Sequence, residues 1–174
     1  INGGINGTRS DSSVIVMCEK LAKRGFVAIA PSYRLGWNPL NPNQFARRAA
    51  LLNAVYRSLH DIKELVRVVK ADASNLGIDP TRIVLFGEGS GGYVALAYVT
   101  LDKWSEVEIP KFINPATGNS FIDSNTVGNI EALGGLLNLY ADNGQTTDVA
   151  MSVNMGGALA DISWLEAGDA PMIS

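Results

Sequence analysis

The chain has 174 residues, 47% hydrophobic and 18% charged, which is the makeup of one globular domain with a sizeable core and excludes a disordered segment. Its net charge is -3, and its 14 Lys and Arg residues are scattered apart from Arg47-Arg48 and the stretch from Lys63 to Lys70, so nothing supports a nucleic-acid partner. The single Cys18 can form no internal disulfide, and no apolar run approaches the ~20 residues of a membrane span.

Taken in order, the glycine-rich start, Asn2-Gly3-Gly4-Ile5-Asn6-Gly7, gives way to Ser10-Asp11-Ser12, residues suited to a helix N-cap. Val14, Met17, Cys18 and Leu21 then recur at helical spacing, and Lys23-Arg24-Gly25 closes the helix. Cys18 reads as a buried small hydrophobe within it. The continuous apolar run Phe26-Val27-Ala28-Ile29-Ala30 predicts a strand buried on both faces, ended by Pro31. A loop follows from Tyr33 to about Pro42.

A helical region is expected from Gln44 to Leu76, broken or bent near Ser58 to Asp61. Within it Ile62, Leu65, Val66 and Val69 form an apolar face, with Lys63, Glu64, Arg67 and Lys70 opposite. Asn75 to Pro80 turns the chain into a second buried strand, Ile83 to Phe86, and a core helix spans Gly91 to Leu101. Strand, helical crossover, strand and helix together predict an α/β fold with a mostly parallel sheet flanked by helices.

From about 102 to 147 the periodicity weakens around Pro110, Asn114-Pro115, Gly118-Asn119 and Gly134-Gly135, as in a cap-like or loop excursion from the core. Strand character returns over Val149 to Met155. Pro171 to Ser174 reads as the start of another strand, and Ile1 is not an initiating Met. The chain is therefore read as a single truncated domain over 1–174.

Gly87, Glu88, Gly89, Ser90, Gly91 and Gly92 join the second strand to the core helix. Four glycines in six residues permit positive φ and let strand and helix approach closely, as in turns that present a nucleophile or seat an anion at a helix N-terminus. Two motifs compete for this turn. The dinucleotide fingerprint G-x-G-x-x-G fits Gly87, Gly89 and Gly92 literally; it calls for an acidic residue about twenty positions on, where Glu106 and Glu108 stand. The nucleophile elbow G-x-S-x-G puts Gly89 at its centre and the serine one place later, at Ser90.

The phrases Lys23-Arg24-Gly25-Phe26-Val27-Ala28-Ile29-Ala30-Pro31-Ser32-Tyr33-Arg34-Leu35-Gly36 and Gly77-Ile78-Asp79-Pro80-Thr81-Arg82-Ile83-Val84-Leu85-Phe86-Gly87-Glu88, in this order, resemble the α/β-hydrolase superfamily in its carboxylesterase and lipase branch. The resemblance runs from about 3 to 157. It implies a partial α/β-hydrolase fold, hydrolysis of a small-molecule carboxylic ester by a Ser-His-acid mechanism, no cofactor and no metal. The branch's Gly-Glu-Ser-Ala-Gly-Gly falls without a gap on residues 87–92, which puts Gly89 in the nucleophile column and leaves Ser90 as the candidate nucleophile only if the turn shifts by one residue. Ser90 otherwise reads as a helix-start hydroxyl.

The resemblance further implies that the acid and the histidine follow the serine in the chain. The only histidine, His60, precedes it and reads as a surface or capping residue, while Asp161 and Asp169 read as loop carboxylates. Gly3 and Gly4 are similar to the tail of the family's oxyanion loop and are its candidates here. The acid and base are thus expected beyond the chain, and the isolated fragment is expected to be inactive. Export of the full-length protein is compatible with the resemblance. The alternatives are a non-catalytic hydrolase-like binding protein, with Trp37, Tyr93 and Trp104 lining an apolar pocket, and a dinucleotide-binding oxidoreductase domain through Gly87, Gly89 and Gly92.

Overall fold

A computed structural model describes residues 8–131 and 143–174. Three parallel strands, β1 (Val84–Glu88), β2 (Met151–Met155) and β3 (Met172–Ile173), lie in the order β1-β2-β3. Val84 pairs with Met151 and Glu88 with Met155, so the C-terminal ends of β1 and β2 finish level; Ser152 pairs with Met172. The expected parallel α/β arrangement is the observed one.

Helix α1 (Ser12–Ala22) keeps Val14, Met17, Cys18 and Leu21 half-buried while Ile15 and Val16 are exposed, as the spacing requires. Cys18 is free and only half-buried, not enclosed as expected. Helix α2 (Gln44–Ala71) begins where the Asn43 side chain accepts from Ala46 N–H, and it runs without interruption through 58–61. The expected break is absent because the polar groups there are satisfied without opening the helix. Ser58 Oγ donates back to the Ala54 carbonyl at 2.7 Å, and the Asp61 carboxylate accepts from the Arg34 backbone and side chain. The chain turns instead at Asp72, before α3 (Ala73–Leu76) and Gly77 in the left-handed region.

The apolar face of α2 is buried at Ile62, Val66 and Val69, but the polar residues do not all lie opposite. Arg67 is 3% exposed, its guanidinium held by Glu64 at 2.6 Å. Helix α4 (Ser90–Thr100) follows β1 directly and buries Val94, Ala95, Leu96, Ala97 and Tyr98 between sheet and α2.

The 26–30 run is extended but forms no strand, and Phe26, Val27 and Ile29 are 57%, 51% and 45% exposed. A strand buried on both faces needs hydrogen-bonded neighbours and covering layers. Neither is supplied to this run by the described residues.

The described part of the 102–147 excursion packs into the core. Short 3-10 helices at Trp104–Val107 and Pro110–Phe112, an Ile113–Ser120 bridge and α5 (Ser124–Val127) bring Val107, Phe112, Ile122 and Val127 into the cluster formed by α2 and α4. Tyr56 Oη accepts from Ile130 N–H at 2.7 Å, and Trp164 Nε1 donates to the Glu106 carbonyl at 2.9 Å.

Candidate functional site

The turn between β1 and α4 has its apex at Gly89, with φ 56° and ψ -121°, a conformation that an L-residue adopts only under strain. Gly89 N–H donates to the Met155 carbonyl at the level end of β2, and Gly92 N–H donates to the Gly89 carbonyl. The other glycines serve close approach. A Cβ on Gly92 would fall 2.6 Å from Gly157 N and closer still to Asn154 Oδ1; one on Gly87 would meet the Gly91 carbonyl and lie 2.8 Å from Gly92 N. Asn154, opposite Gly87 in the register, accepts from Gly157 N–H at 2.8 Å and donates to the Gly157 carbonyl and to Ser174 Oγ. A Cβ on Gly89, by contrast, would meet nothing within 4 Å.

Ser90 is the first residue of α4, half-buried, and its Oγ makes no hydrogen bond to a described residue. The turn is not shifted by one residue: Gly89 holds the apex and Ser90 the helix start. Glu88 ends β1 exposed to solvent. Gly3 and Gly4 lie outside the described residues.

Ser90 opens onto a cleft of about 190 Å³. One wall is the 33–37 loop, with Tyr33, Leu35 and Trp37; a second is α2, with Leu51, Val55 and Ser58; Val94 of α4 lies beside Ser90. Arg34 is fixed at the edge by Asp61, which accepts from its backbone N–H at 2.8 Å and its Nε at 2.9 Å. Ser58 Oγ lies 3.2 Å from the Arg34 carbonyl. The Tyr33 hydroxyl is buried without a hydrogen-bond partner among the described residues, and burial raises its pKa to about 12, so it stays a protonated donor at neutral pH. Of the aromatic residues expected to line a pocket, Trp37 does. Trp104 packs edge-on against Tyr56, and Tyr93 is absent from the lining.

His60 is neither a surface nor a capping residue. It sits in mid-α2, 4% exposed, edge-on to Tyr56 at 5.3 Å, with no hydrogen-bond partner for Nε2 among the described residues. Burial, with the positive charges of Arg34, Lys63 and Arg67 and against the pull of Asp61, lowers its pKa to about 4. It is neutral at pH 7 and does not line the cleft. Asp161 caps the 3-10 helix at Ile162–Trp164 through Ser163 N–H and pairs with Lys111, while Asp169 accepts from Glu166 N–H. Both are loop carboxylates, as expected. Glu106 folds back to accept from the Asp102 and Lys103 N–H groups, and Glu108 is exposed beyond it; neither stands at a strand end, where a ribose-binding acid belongs.

The parallel sheet, its flanking helices and the glycine elbow at the end of β1 define a hydrolase-like domain of the α/β type. The chain belongs to the BD-FAE family, an α/β-hydrolase-type esterase domain, whose match spans residues 2–161. No curated protein and no solved structure matches it. Sequence reasoning located the elbow but missed Ser58, Leu51, Val55 and Val94 as cleft walls. The signal available for Ser58 was its hydroxyl one turn after Ala54, which read instead as a helix break.

Proposed function

We propose that this domain binds a small carboxylic ester or its acid product in the cleft beside Ser90, as a hydrolase-like binding module without a covalent serine step. The observation that carries this reading is Gly89 at φ 56° and ψ -121°: the apex has nucleophile-elbow geometry but no attacking atom. Tyr33 and Trp37 give the ligand an apolar, aromatic wall, and Ser90 places the first residue of α4 in the lining.

A second reading, a serine carboxylesterase with Ser90 as nucleophile, is favoured by one observation: Ser90 lines the cleft with its hydroxyl uncommitted. Turnover of p-nitrophenyl acetate separates the two. Equal and negligible hydrolysis by wild type and Ser90→Ala, with Trp fluorescence quenched on ligand addition to both, is the expected result. Wild-type turnover that drops by orders of magnitude in Ser90→Ala would replace the binding reading with the esterase one.

A further inference from the structure

Against the 33–37 wall of the cleft stands a guanidinium, that of Arg57, with no ion pair of its own among the described residues. Arg34 and Arg57 lie together there, Arg34 Nη2 donating to the Arg57 carbonyl at 3.3 Å, and they share one nearby carboxylate. That carboxylate, Asp61, is committed to Arg34, accepting at both oxygens from Nε and pairing with Nη2 at 2.8 Å. Arg57 has no carboxylate within ion-pair distance among the described residues. Its guanidinium makes one hydrogen bond, Nη2 to the Leu35 carbonyl at 3.2 Å, and lies against Gly36; Leu35 and Gly36 both line the cleft. Burial, and next the charge of Arg34, lower the Arg57 pKa, with Asp61 opposing; an anion at this place would relieve the repulsion. The whole chain is net negative, so this is a local feature and not part of a basic surface.

We propose that the cleft recognises an amphiphilic monocarboxylate, its apolar body lying against Val55, Val94 and Trp37 and its carboxylate reaching past the Leu35–Gly36 edge to Arg57. The inference rests on the cleft being a ligand site, as proposed above, and adds the charge of the ligand. A guanidinium with free donors is the side chain best matched to the two oxygens of a carboxylate. The charged residue of the lining itself, Arg34, is already paired with Asp61, and the rest of the cleft offers an anion only apolar walls and the hydroxyls of Tyr33, Ser58 and Ser90.

Isothermal titration calorimetry with hexanoate and its neutral isostere hexanamide tests this on the full chain. Wild type is expected to bind hexanoate at least about tenfold more tightly than hexanamide. Arg57→Gln is expected to erase that difference by weakening hexanoate alone, and Arg57→Lys to restore part of it. Gly36→Ala, whose methyl would push Nη2 aside, is expected to weaken hexanoate likewise. Equal affinity of wild type for the two probes, or a hexanoate affinity unchanged in Arg57→Gln, would overturn the charge assignment and leave the cleft as a site for neutral ligands. Binding of neither probe would overturn both the assignment and the cleft reading. The wild-type comparison decides the matter even if a variant fails to fold, which thermal denaturation of each variant reports.

Discussion

Gly89 and Gly92 are glycines for different reasons, and the difference is measurable. At Gly89 an added methyl meets open space, so Gly89→Ala costs only backbone strain, about 1–3 kcal/mol by urea denaturation. At Gly92 the methyl collides with Asn154 and the Gly157 backbone, neither the free end of a flexible chain, and Gly92→Ala is expected to cost more than Gly89→Ala in the same assay. His60 gives a pH signature. Its folded pKa of about 4 lies below the ordinary value of 6.5, so the unfolded chain takes up a proton first as pH falls. The contribution of neutral His60 is intact above pH 6.5, declines below it, and levels off once the pH passes about 4. Stability should drop by about 2 kcal/mol between pH 7 and pH 5. As this is the only histidine, His60→Gln should flatten that interval, and a slope that survives the substitution would assign it to another group.

Helices α1, α2 and α4 show how far periodicity carries. The half-buried stripe of α1 and the apolar face of α2 were readable, because side chains three and four apart share a face whatever packs against them. The continuity of α2 through Ser58 and Asp61 was not. It depends on Arg34, twenty-seven positions from Asp61 in the chain, and no local pattern records that pairing. Burial of Arg67 and His60 was hidden for the same reason. Tyr56 marks where α2 holds the excursion. Its hydroxyl accepts from a buried N–H of Ile130, and Tyr56→Phe leaves that donor stranded; the expected loss is about 1–3 kcal/mol, read from the denaturation midpoint at unchanged m-value. A smaller effect would mean that water reaches the vacated acceptor position.

For the molecule as a whole, the α/β class and the elbow were legible, since a strand, a glycine turn and a helix are contiguous in the chain. The cleft was legible only in part. Ser90 and Trp37 announced themselves, while Leu51, Val55 and Val94 reach the site by packing of α2 against α4. The exposed 26–30 run shows the converse: its apolar character was read correctly, but burial is a property of neighbours and not of the run. One feature joins these scales. The elbow is held by the Met155 carbonyl, the Asn154 amide and the abutting Gly92 and Gly157, none of which involves a side chain at position 89. The turn is thus a socket whose shape is set from β2, and what is plugged into it is chemically independent of what builds it. Such a scaffold can exchange a reactive group for a hydrogen atom and keep its architecture, so catalysis and ligand capture become separable properties of one fold.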